Sequence, residues 1–129
     1  MTSPARLLSA GMPAAQALQI GMDSSAGLLT ATGSTIAGAL TLAGDFSLFG
    51  TVASGTGAQL PAAEGQPIQA IYNGGSNALL VYPQAGEIIN AGSVGVAYSV
   101  AAGKSCIFVP GKDNAVTPPI GAWIANQSA

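Results

Sequence analysis

From Leu28 to Ala125 the chain alternates short apolar runs with polar residues, and Gly, Pro, Asn or Ser cuts the runs at intervals of about ten residues. The pattern predicts strands over 35–42, 46–52, 58–60, 66–72, 78–82, 87–90, 94–100, 105–109 and 120–125. In the first, Ile36, Leu40 and Leu42 share one side. In 66–72, Ile68, Ala70 and Tyr72 point one way and Gln69 and Ile71 the other, as the two-residue period of a strand requires. Asn73-Gly74-Gly75-Ser76-Asn77 is a turn between two such runs, built from residues that tolerate positive φ. Behind it, Ala78-Leu79-Leu80-Val81-Tyr82 is almost continuously apolar, the pattern of a strand covered on both faces. No helical period persists over about 12 residues between these runs. The expected fold is therefore all-β: an antiparallel sandwich or barrel, with a jelly roll among the arrangements that fit.

The first 25 residues differ. Pro4, Gly11, Pro13 and Gly21 break the apolar pieces that contain Leu7, Leu8, Met12, Leu18 and Ile20 before any period is established. Pro13 also interrupts the segment that would otherwise resemble a secretory signal. The expectation is an extended arm over 1–25, whose apolar residues need a partner surface, followed by one β domain over 26–129. Residues 24–44 carry no charge, but five large aliphatics among seven Ser/Thr and four Gly make a poor membrane span.

Charge sharpens this picture. Only Arg6, Lys104, Lys112, Asp23, Asp45, Glu64, Glu87 and Asp113 are charged, 6% of 129 residues, against about 25% in ordinary soluble domains. A surface of Ser, Thr, Gly, Ala, Asn and Gln can be covered by a neighbour with few ions to desolvate. Three scattered cations neutralise about three phosphates at most, so nucleic acid is not an expected partner. A membrane is not expected either.

Candidate chemistry is sparse. The chain has no histidine, which removes His-based triads, the usual zinc sites and most general-base mechanisms near neutral pH. No Gly-x-Ser-x-Gly elbow and no complete Gly-x-x-x-x-Gly-Lys-Ser/Thr phosphate loop occurs. Gly55-Thr56-Gly57 starts like a dinucleotide loop, but Leu60 stands where the third glycine belongs. Of the five acids, Asp23, Asp45, Glu87 and Asp113 fall in or beside predicted turns, and Glu64 sits in the loop after Pro61. Cys106, the single cysteine, lies in the apolar run Ser105-Cys106-Ile107-Phe108-Val109 and reads as a small core residue. No catalytic, metal or cofactor site is expected, and the chain is not read as an enzyme.

The phrases Gly57-Ala58-Gln59-Leu60-Pro61-Ala62-Ala63, Gly65-Gln66, 68–83, Gly86-Glu87-Ile88-Ile89-Asn90 and 99–109, with Trp123 near the end, resemble a β unit of small structural proteins of tailed bacteriophages. The resemblance covers roughly residues 55–125. It implies a virion component on the capsid surface, often a homotrimer, that acts as a decoration or cement protein by bridging major capsid protein subunits. A tail, collar or fibre-base subunit remains an alternative, as does a carbohydrate-binding module for host attachment. Candidate interface residues are Leu7, Leu8, Met12, Leu18 and Ile20 in the arm, with Leu80 and Tyr82 in the apolar run.

Overall fold

The computed structural model describes residues 27–129 except Pro67 and Val116. The expected arm, with Leu7, Leu8, Met12, Leu18 and Ile20, lies outside the described residues. Within them the chain forms strands only: β1 Leu29–Thr30, β2 Leu40–Thr41, β3 Phe46–Thr51, β4 Gly57–Gln59, β5 Gln69–Asn73, β6 Leu79–Tyr82, β7 Ile88–Ile89, β8 Tyr98–Val100, β9 Ser105–Asp113 and β10 Ile120–Gln127. They make a six-stranded sheet in the order β1-β3-β5-β9-β10-β7 and a four-stranded sheet in the order β2-β4-β6-β8.

Both sheets are mixed, which corrects the expectation of antiparallel pairing throughout. The β1–β3, β3–β5, β2–β4, β4–β6 and β10–β7 pairs are parallel; β5–β9, β9–β10 and β6–β8 are antiparallel. The cause is the path of the chain. From β1 to β6 it visits the two sheets alternately, so each strand returns beside the one two earlier, pointing the same way. Parallel neighbours need a long crossover, and here the strand in the opposite sheet supplies it. Each turn takes roughly 20 residues, the scale of a solenoid repeat. After β6 the winding stops, and the long β9–β10 hairpin closes the six-stranded sheet, with Asp113 opposite Ile120 and Cys106 opposite Gln127.

One apolar cluster draws on both sheets: Phe49, Ile71, Phe108 and Trp123 from the larger, Leu79, Val81 and Val100 from the smaller, with Leu42, Val52 and Leu60 from connections. Burying each large side chain contributes about 1.5–3 kcal/mol.

Local differences from the sequence reading have physical reasons. The predicted strand over 35–42 shrinks to Leu40–Thr41, because Ala39 N–H donates to Thr35 C=O at 2.9 Å and closes a turn. Residues 94–97 belong to a loop, and only Tyr98–Val100 pairs. Strand β9 continues four residues past Val109. Ser105 exchanges hydrogen bonds with Ser128, on the β10 side, so by alternation Pro110 faces the β5 side, where pairing ends at Phe108. There its missing N–H costs no ladder bond. The turn at 73–77 joins different sheets and has no positive φ among its residues. Its glycines serve close approach instead: a Cβ at Gly75 would lie 2.8 Å from Val52 Cβ, and one at Gly74 2.8 Å from Phe49 O.

Candidate interaction surface

Strands that bury one face normally alternate apolar-in with polar-out. In the six-stranded sheet the inward positions are Ser47 and Phe49 on β3, Gln69, Ile71 and Asn73 on β5, and Cys106 and Phe108 on β9, all buried. The outward positions are Phe46, Leu48, Ala70, Tyr72, Ile107 and Val109. On β5 the outward side is the more apolar one. Gln69 faces inward and donates from Nε2 to Asp45 Oδ1 at 3.0 Å.

Register joins the outward residues into one surface. Phe46 pairs with Ala70 and Leu48 with Tyr72; Ala70 pairs with Ile107, and Val109 with Ile124. Ile68 has the same parity as Ala70, one residue before β5. At the sheet edge Leu28 lies over Gly50, whose Cβ position would be 3.1 Å from Leu28 Cδ1. Exposure across Leu28, Phe46, Ile68, Tyr72, Ile107, Val109 and Ile124 runs from 38% at Ile68 to 75% at Leu28. Among the described residues the one charged side chain at an outward position on these paired strands is Asp113, at the end of β9 four residues beyond Val109. Ser105, opposite Tyr72, and Asn126, opposite Ile107, give the patch a polar margin.

Of the interface residues expected from sequence, Leu80 and Tyr82 lie on the outer side of the four-stranded sheet, opposite in parity to the buried Leu79 and Val81. Leu80 is half-buried. Tyr82 is covered by the chain itself: it is 9% exposed, and its hydroxyl donates to Ser34 C=O at 2.9 Å. Tyr82 therefore offers little to a partner. The pattern of Ile68, Ala70 and Tyr72 was visible in the sequence, but which side of β5 faces the core was not.

The acids within the described residues bond to protein backbone and side chains. Glu87 accepts the Ala63 N–H on both carboxylate oxygens at 3.2 Å, and Asp113 accepts the Ala115 N–H at 2.8 Å. Glu64 meets Lys112 at 3.4 Å on the surface, a pairing worth little in water. Cys106 is buried, and desolvation pushes its thiol up to about 11, against a smaller opposing effect of a hydrogen bond from the Asn126 backbone. Such a thiol is a poor nucleophile. Among the described residues no cluster of His, Cys, Asp and Glu could hold a metal ion, and no helix is long and apolar enough to cross a membrane. A shallow hollow of about 270 Å³ lies between residues 63–66 and 110–112. Its only charged groups are the paired Glu64 and Lys112, and it offers no converging polar set.

Comparison with known protein families, with curated proteins and with solved structures finds no match to this chain.

Proposed function

We propose that the chain is a structural subunit of a larger protein assembly: a virion decoration or cement protein that bridges neighbouring coat subunits at the capsid surface. The observation that carries this reading is the six-stranded sheet with apolar residues on both sides. A sheet built that way is stable in water when a second layer covers its outer side. The scarcity of charge supports it, since a nearly ion-free surface loses little on burial. The resemblance of 55–125 to phage structural proteins supplies the virion context. Adhesion would come from many modest contacts, multiplied by self-association and by repeated lattice sites. Major capsid protein, or another virion subunit, is the expected partner.

Copy number per purified particle tests this. Hundreds of copies match a lattice cement, about a dozen or fewer match the tail, collar or fibre-base alternative, and absence from particles refutes both. One observation favours the carbohydrate reading: Phe46 and Tyr72 are exposed aromatics on adjacent strands of one face. Glycan-array binding lost in Y72A would support that reading over cement.

A further inference from the structure

The outer side of the six-stranded sheet has an area, composition and edge that narrow what covers it. Fully exposed residues of these types present on the order of 200 Å² each, so the seven exposed residues from Leu28 to Ile124 leave roughly 700 Å² of mostly apolar surface in water. That exceeds the largest patch of a typical monomer, about 300–600 Å². It approaches the roughly 800 Å² that each partner contributes to a standard stable interface. The patch is a sheet face rather than a groove, so its natural complement is another sheet, packed about 10 Å away with side chains interdigitating.

Resting on the reading of the chain as an assembly subunit, we infer that this face is the contact between copies of the chain itself: the outer side of one six-stranded sheet packs on the same side of another. Three features select a second copy. The seven patch residues carry no charge, and Asp113 stands beyond them at the end of β9, so the centres of two copies meet without like-charge repulsion and no charged partner is specified. Its branched aliphatics Ile68, Ile107, Val109 and Ile124 share the face with the rings of Phe46 and Tyr72, so large and small protrusions are available to both partners. Ser105 and Asn126 border it with neutral hydrogen-bonding groups, the apolar-centre, polar-rim layout of a protein interface. Self-packing would use the face completely and leave the opposite side of the molecule, including half-buried Leu80, for coat subunits.

The test is sedimentation equilibrium of the full chain at micromolar concentration, with two double variants. Ile107→Lys with Ile124→Lys places two cations on the face at outward, solvent-facing positions. Val94→Lys with Val96→Lys places two on an exposed loop outside it. The unaltered chain and the loop variant should be oligomers, and the face variant monomeric or weakened about a hundredfold in association, with unchanged β circular dichroism. If the face variant loses its β signal, Ile124→Ser decides alone, with about a tenfold weakening expected. A monomeric unaltered chain, a face variant that stays oligomeric, or dissociation by the loop variant would overturn the inference. Adding each protein to assembled particles separates the two levels: a monomer that still binds particles defeats self-packing and leaves the assembly reading standing, whereas a self-associating chain that binds no particles does the reverse.

Discussion

Asn73 Nδ2 donates to the Val100 carbonyl at 2.9 Å inside the protein, tying β5 of the six-stranded sheet to β8 of the four-stranded one. The same side chain donates to Asn77 C=O at 2.8 Å and accepts the Gly75 N–H at 3.0 Å. One buried amide thus completes the turn at 73–77 and links the layers. Asn73→Ala removes the three bonds and leaves the Val100 carbonyl buried without a donor, at a cost of about 3 kcal/mol. Asn73→Asp should cost at least as much, because a carboxylate cannot donate to that carbonyl. Urea denaturation of both variants measures this; a loss below about 1 kcal/mol would mean the link contributes no more than an ordinary hydrogen bond.

Gly57 tests the close pairing of β4 with β6. A Cβ there would collide with the Leu80 carbonyl oxygen and sit 3.0 Å from the Tyr82 ring. Gly57→Ala should destabilise by about 2 kcal/mol. Gly55 has nothing nearby but a φ of 79°, so Gly55→Ala should cost about 1 kcal/mol from backbone strain alone. Thermal melts of the two variants should keep that order.

Opposite sides of β6 should respond unequally to a charge. Val81 is fully buried in the shared core while Leu80 is half-buried on the outer side. Val81→Asp should cost about 4 kcal/mol or prevent folding, and Leu80→Asp about 1 kcal/mol in the isolated chain. Equal losses would place Leu80 in the core.

Much of this was legible in the residues, and the missing part has a definite origin. Most of the strand runs, the turn over 73–77 and the burial of Leu79, Val81 and Cys106 follow from period and punctuation. Strand direction does not. The two-residue alternation of Phe46–Thr51 and Gln69–Asn73 is the same whether the strands run parallel or antiparallel, and a spacing near ten residues suits both. Nor could alternation alone choose between the sides of β5. Inward Gln69 is stabilised by Asp45, far away in sequence, and that pairing lets Tyr72 and Ile68 turn outward. Interface residues assigned to the apolar run were affected by the same long-range packing, since the segment around Ser34 covers Tyr82.

Titration of Cys106 gives a pH signature. Its folded value of about 11 lies above the ordinary 9.0, so the folded state holds the thiol proton more tightly than the unfolded chain. That contribution to stability is fully present below pH 9 and is lost as pH rises through the interval to about 11. The stability advantage of the native chain over C106A should therefore shrink across that window. Below it the thiol should stay silent to Ellman's reagent until the protein is unfolded. Rapid labelling of the folded protein at pH 8 would show the thiol to be accessible.

Hydroxyl-radical footprinting of purified particles that contain the chain tests most directly whether its outer sheet face is covered. Phe46, Tyr72, Ile107 and Ile124 should be strongly protected from oxidation relative to the same residues in dilute, dissociated protein, while loop residues Val94 and Val96 serve as the internal reference. Oxidation of the four face residues at the rate of the free monomer would contradict the account.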